Sequence, residues 1–186
     1  MGDLHLAIGQ PYDKIEFNLM SSEGSRGRLA PIASQEFRRA CGRFATGVTV
    51  VTVLDARGRA HGLTVNSFAS VSLAPPLVLF CVGRNVSVID AFRAAEFFAI
   101  NVLAAGQRDI AERFARKGLD RFAGVPWHRG KTGVPLLEGV LATLECAVCQ
   151  RTPSGDHEIV VGEVLHTRVA DGSPLVFYAS GYHTLG

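Results

Sequence analysis

The sequence predicts a mainly β domain: an antiparallel sheet closed into a barrel, with only short helices between its strands. Three observations carry this. Six or seven runs rich in valine, isoleucine, phenylalanine and threonine follow one another, bounded by glycine, proline, asparagine or aspartate. The helical patterns between them are short. Strands and long helices do not alternate, which disfavours a βαβ sheet, and closure is how an antiparallel sheet removes its edges.

Residues 1–33 show no clear period and contain Ser21-Ser22-Glu23-Gly24-Ser25-Arg26-Gly27-Arg28. They read as a flexible N-terminal arm, with a short ordered piece around Ile15 to Met20, ahead of one domain over 34–186. Ser34 can cap a helix in which Phe37, Cys41 and Phe44 recur at helical spacing and Glu36 lies in the first turn. Gly47 to Leu54 is β-branched almost throughout and reads as a buried strand. Asp55-Ala56-Arg57-Gly58 turns it, and Ala60 to Val65 returns. Leu77 to Val82 and Phe97 to Leu103 are the next strands, with a short helix marked by Val86, Ile89 and Phe92 between them. A helix over Gln107 to Arg116 places Ile110, Ala111 and Phe114 on one face. Gly118 to Leu137 reads as a long loop. Two long strands, 140–151 and 157–169, flank a turn over Thr152 to Asp156, and a last strand covers 174–180.

Of the 186 residues, 47% are hydrophobic and 20 are glycine, enough for a core with many turns. Lys plus Arg is 19 and Asp plus Glu is 17, a net charge of +2 that offers no footprint for nucleic acid or a membrane surface. Apolar runs stop far short of the roughly 18 residues of a spanning helix, and no secretory signal opens the chain. The four cysteines therefore read as thiols of a cytoplasmic protein. Cys146 and Cys149 form a C-x-x-C, but within a strand this spacing puts them on opposite faces, so they read as buried structural thiols.

Three tempting motifs fail. Gly130-Lys131-Thr132 resembles the end of a phosphate-binding loop, yet position 125, where its first glycine belongs, is Val125. No G-x-G-x-x-G follows a strand. His157-Glu158 continues into Ile-Val-Val, not toward the second histidine of a zinc helix, so no metal site is expected.

The informative stretch is His61-Gly62-Leu63-Thr64-Val65-Asn66-Ser67-Phe68-Ala69-Ser70-Val71-Ser72-Leu73-Ala74-Pro75-Pro76. A strand ends near Val65 and a loop rich in hydroxyls and amides follows, stiffened by two prolines. Neutral donors gathered this way suit a ring with several carbonyls and nitrogens, and a phosphate, better than a metal. Gly83-Arg84-Asn85-Val86-Ser87 opens a helix, where Arg84 and free N–H groups can meet an anion. Either loop read alone is equally a set of turns and caps.

These segments resemble the flavin reductase family of split-barrel flavoproteins, which includes reductase partners of two-component flavin monooxygenases. The resemblance rests on Phe44-x-Thr46-Gly47-Val48-Thr49-Val50-Val51-Thr52 and on Gly62 through Pro76. It continues through Phe98-x-Ile100-Asn101-Val102-Leu103, Asp120-Arg121-Phe122, Gly133-x-Pro135-Leu136-Leu137, Gly155-Asp156-His157, Pro174 to Tyr178 and Gly181-Tyr182, over roughly residues 35 to 186. It implies a homodimer of six-stranded split barrels with flavin, FMN or FAD, near the shared interface. Thr64, Val65, Asn66 and Ser67 would then face the isoalloxazine edge, with Thr46 and Gly47 lining its other side. Ser70, Ser72, Arg84, Asn85 and Ser87 would surround the phosphate or ribityl chain, and His157 would stand beside the nicotinamide. Thr46 and Asn101 read equally as side chains that satisfy backbone groups. Arg121 reads as a loop anchor, His61 and His166 as surface histidines, and Tyr182 and His183 as residues that pack or close the pocket.

The implied activity is reduction of FMN or FAD by NADH or NADPH, with reduced flavin passed to a separate oxygenase. No protein nucleophile is needed, in keeping with a sequence that carries no triad. Two rival readings are a flavoprotein that keeps FMN bound and passes electrons elsewhere, as in the flavoredoxin or pyridoxamine-phosphate-oxidase branches, and a non-catalytic flavin- or haem-binding barrel.

Overall fold

The computed structural model describes residues 31–185, so nearly all of the arm expected over 1–33 lies outside the described residues. Helix α1 (Ser34–Cys41) is followed by β1 (Thr46–Gly47), β2 (Thr49–Leu54), β3 (Ala60–Val65), β4 (Ala69–Leu73) and β5 (Pro76–Gly83). Then come α2 (Ile89–Ala94), β6 (Phe97–Val102), α3 (Arg108–Ala115), β7 (Trp127–Arg129) and β8 (Pro135–Leu137). The hairpin β9 (Ala142–Ser154) and β10 (His157–Val169), then β11 (Leu175–Tyr178) and β12 (Gly181–Thr184), complete the order.

The main sheet runs β3-β2-β6-β9-β10-β5-β4, and every pairing in it is antiparallel. A mainly β chain with short helices is what the sequence predicts. The expected closed six-stranded barrel is corrected: this sheet has seven strands, and its ladder leaves β3 and β4 as edges. The added strand is β4, which lies inside the segment expected to be a loop. Its pairing with β5 slips between Ser70 and Ser72, the mark of a bulge. Between β3 and β4, Ser67 Oγ accepts from the Cys81 amide at 2.9 Å and donates to the Cys81 carbonyl at 3.3 Å. One hydroxyl thus ties this end of β5 to the link between the two edge strands.

Other differences have local causes. Helix α1 stops at Cys41, short of Phe44, and buries no residue, so its apolar period is not a packing period. Strand β9 runs on through Pro153, beyond the part of the strand that β6 covers, where a missing N–H interrupts no ladder on that side. The expected 118–137 loop contains the short β7–β8 ladder. The last expected strand is a hairpin, turned by Ala179 and Ser180 at φ 47° and 65°.

Strand β2 explains its own composition. Val51 and Val53 join a core cluster with Phe80, Phe92, Phe98 and Val160, whereas Val48 and Val50 join a second with Leu103, Phe114 and Leu175. With both faces buried, the run is apolar throughout instead of alternating. Two glycines admit aromatic rings: a Cβ on Gly62 would lie 2.8 Å from Phe114 Cδ1, and one on Gly162 would lie 2.6 Å from Phe98 Cζ. Asn101, fully buried on β6, donates to the Val50 carbonyl (3.0 Å) and Thr52 Oγ1 (3.2 Å) and accepts from the Leu137 amide (2.8 Å), which binds β8 to the sheet. Cys146 is buried and its thiol is pushed up to about 12, first by desolvation. Cys149 is exposed, because the register between β9 and β10 slips beside it, so only one of the pair is the buried thiol expected. No helix among the described residues is long and apolar enough to cross a membrane.

Candidate functional site

The start of β2, the end of β3 and the segment entering β4 meet at one end of the sheet. Thr49 pairs with Val65 and donates its hydroxyl to the Val65 carbonyl at 3.0 Å, so β1, three residues earlier in the chain, sits beside the Asn66 turn. Ser67 is locked to Cys81, two residues before Gly83, and Gly83 pairs with His157. Four chain segments are thus involved: Thr46 and Gly47 lie by the Asn66–Ser67 turn, and Ser67 is tied through the end of β5 to Arg84 and His157.

These side chains differ in what they have left to offer. Thr46 Oγ1 is buried and has no hydrogen-bond partner among the described residues. A buried hydroxyl left so is costly, by about 1–3 kcal/mol, unless a ligand or water completes it. Gly47 is exposed, and a Cβ there would meet nothing within 4 Å, so the backbone opens onto free space. Asn66 is exposed at the turn. Thr64 is committed elsewhere: its hydroxyl donates to the Ala111 carbonyl of α3 at 2.7 Å. Val65 belongs to the core, so a role at the site falls to its backbone.

His157 stands at the tip of the β9–β10 hairpin, half exposed, with Nδ1 2.7 Å from Asp156 Oδ1 and Nε2 3.7 Å from where a Gly83 Cβ would be. The hydrogen bond to His157, and then its charge, hold the Asp156 carboxyl below the usual carboxylate range. Asp156 also accepts the Arg84 amide on its carbonyl at 2.9 Å, joining the two loops. In the sequence, Asp156 carries no signal beyond that of a turn residue. Arg84 and Asn85 are exposed beside it, and Ser87 lies beyond them, facing a pocket shared with His61 and Arg121.

Ser70 and Ser72 do not join this group directly. They pair with Val78 and Leu77, so Ser72 sits six residues along β5 from the His157 pairing, ~20 Å of strand. Within one chain, Ser70 and Ser72 are therefore separated from Arg84 and Asn85 by most of the length of β5. Asn101 satisfies backbone groups, whereas the Thr46 hydroxyl does not. His61, expected at the surface, is half-buried, with Nε2 3.0 Å from Asp55 Oδ2; His166 is exposed. Tyr182 packs edge-on against Phe177 at 5.3 Å.

The donor set fits a flavin: an orphaned buried hydroxyl, an open glycine and an exposed amide meet at one sheet end, with hydroxyls further along the edge strand. The flavin reductase like domain model matches residues 41–186. The chain belongs to that family. Among flavin reductase relatives, the FMN reductase (NADH) SmoA of Agrobacterium fabrum (strain C58) is 46% identical over 149 residues, covering 80% of this chain and 84% of that protein. The reductase component of the flavin-dependent trigonelline monooxygenase of Acinetobacter baylyi is 42% identical over 150 residues, 81% of this chain and 48% of that protein. A Rhizobium meliloti relative, 44% identical, is likewise spanned over only 47% of its length, so the chain covers about half of some relatives. Among solved structures, the NADH:FAD oxidoreductase SgcE6 of Streptomyces globisporus, in complex with NAD and FAD fragments, superposes with a TM-score of 0.77 at 39% identity, covering 84% of this chain and 98% of that one.

Proposed function

We propose that this domain is an NAD(P)H:flavin oxidoreductase that reduces FMN or FAD and releases the reduced flavin to a separate oxygenase. The observation that carries the reading is the buried, unpartnered Thr46 hydroxyl at the open sheet end, in a chain of the flavin reductase family. Hydride passing from nicotinamide to flavin is chemistry that the two cofactors bring with them. The protein's residues bind and orient. Thr46 and Gly47 line one side of the flavin ring, and the Thr64-Val65-Asn66-Ser67 segment faces its edge. Ser70 and Ser72, with Arg84, Asn85 and Ser87, hold the phosphate or ribityl chain. His157, steadied by Asp156, orients the nicotinamide.

The working unit in this reading is a homodimer. Two observations support it. Edge strand β4 exposes Val71 (48%) and Leu73 (95%), large apolar side chains on an unpaired edge. The phosphate-holding groups are also split between the two ends of β5, and a second copy would let one site draw on both. The four free thiols support a cytoplasmic setting.

Mixing the protein with NADH or NADPH and excess free flavin, and following the nicotinamide absorbance band, tests the activity. Oxidation should require added flavin. Undetectable turnover with FMN, FAD and riboflavin alike would overturn the reading.

A further inference from the structure

Three charged side chains are buried among the described residues: Glu145, Glu158 and Arg121. Glu158 pairs with Arg93, and Glu145 accepts the Thr132 amide and hydroxyl, each at 2.7 Å. Arg121, only 6% exposed, has no carboxylate partner among the described residues. Its Nε donates to the Arg116 carbonyl and its Nη1 to the Gly62 carbonyl, both at 2.9 Å, and Nη2 finds no acceptor among the described residues. Neighbouring Asp120 is exposed and gives one carboxylate oxygen to the Phe122 amide. Burial lowers the Arg121 pKa, with no nearby acid offsetting the shift, yet a guanidinium stays charged in proteins. A buried cation facing only neutral carbonyls is poorly compensated.

This guanidinium lines a pocket of about 510 Å³, together with Arg59, His61, Ser87, Phe122 and Trp127. Phe122 and Trp127 meet edge-on at 5.6 Å, so the walls combine half-buried aromatic rings with the Ser87 hydroxyl, the Arg121 guanidinium, an Arg59 already paired with Asp55 at 2.8 Å, and the Asp120 carboxylate, one oxygen of which accepts the Phe122 amide. A guanidinium with a spare donor, as in Arg121, suits phosphate oxygens, and aromatic rings suit a base. We propose that this pocket binds a nucleoside diphosphate, with Arg121 as the cation that anchors its phosphates. The proposal rests on the flavin reductase reading for its source: FAD and NAD(P)H both carry an adenosine diphosphate group, and FMN does not.

Trp127 is the chain's only tryptophan, so its fluorescence reports on the pocket directly. The full chain, without flavin, is titrated with ADP and separately with adenosine. ADP should change the emission saturably and bind at least about tenfold more tightly than adenosine, as expected for charge-assisted hydrogen bonds. In Arg121→Met that preference should largely vanish. Equal affinity for ADP and adenosine in the unaltered protein, or no saturable ADP binding, overturns the proposal, and this arm holds even if Arg121→Met fails to fold. Steady-state kinetics then separate the sources. A raised KM for FAD with FMN unchanged assigns the pocket to the flavin nucleotide; a raised KM for NADH with either flavin assigns it to the nicotinamide nucleotide. A folded Arg121→Met with neither KM raised also overturns it. NADH oxidation by the unaltered protein with FMN tests the reductase reading separately, since FMN lacks the diphosphate.

Discussion

His157→Ala separates a ligand-orienting histidine from a solvated residue at a hairpin tip. Its side chain is 50% exposed and its hydrogen-bond partner Asp156 is 86% exposed. Such a surface pair contributes ~0–1 kcal/mol to stability, so the melting temperature should hardly move. Flavin affinity should also be nearly unchanged, because Thr46, Asn66 and the β4 serines come from other segments. If the ring orients the nicotinamide, its loss should slow flavin reduction by about 10- to 100-fold, or ~1.4–2.8 kcal/mol at 1.36 kcal/mol per decade. Asp156→Ala should reproduce part of the loss, since it frees the ring from its 2.7 Å tether. Stopped-flow bleaching of the flavin band, at saturating flavin and varied NADH, measures this. An unchanged rate together with an unchanged dependence on NADH would refute the role and leave His157 a solvated strand end.

Three further outcomes follow from the same geometry. Replacing Ser70 and Ser72 by alanine should weaken FMN binding tenfold or more, at ~1.5–3 kcal/mol per hydrogen bond to a charged group, while riboflavin, which lacks the phosphate, is far less affected; equilibrium titration of both flavins checks this. Asn101→Leu strands the Leu137 amide in the core, so urea unfolding should show a loss of ~1–3 kcal/mol, the cost of one orphaned buried group. The Arg93 hydrogen bond holds the Glu158 carboxyl below its ordinary value of 4.5 against the opposing effect of burial. That stabilisation is therefore complete above about pH 4.5 and lost as pH falls through the lower folded value. Arg93→Met should move acid unfolding, followed by circular dichroism, to higher pH.

The two kinds of residue at the site were unequally visible in the sequence. The Asn66-to-Ser72 run stands out because hydroxyls and an amide crowd between two apolar strands. Asp156 does not stand out, because an aspartate in a Gly-Asp turn is ordinary until the hairpin register puts its carboxylate on the next residue's ring. The unpartnered Thr46 hydroxyl is equally invisible: a threonine before a β-branched run looks like its neighbour Thr49, whose hydroxyl is satisfied by the Val65 carbonyl.

By itself the sequence determined the β-rich class, the apolar strand that ends at Leu54, expected from Gly47 and found as β2 from Thr49, and the long hairpin of β9 and β10. Local composition suffices for these, since a doubly buried strand must be apolar on both faces and a tight turn needs residues that tolerate it. Only the tertiary structure decided that β4 is a strand, because five half-polar residues become one only when β5 offers a ladder. It also decided that α1 buries no residue among the described residues, that one C-x-x-C thiol is buried and the other exposed, and that Arg121 lies in a pocket wall with no carboxylate hydrogen-bonded to it among the described residues. Each of these depends on which distant segment arrives alongside, and hydrogen-bond satisfaction and burial are settled only when it does.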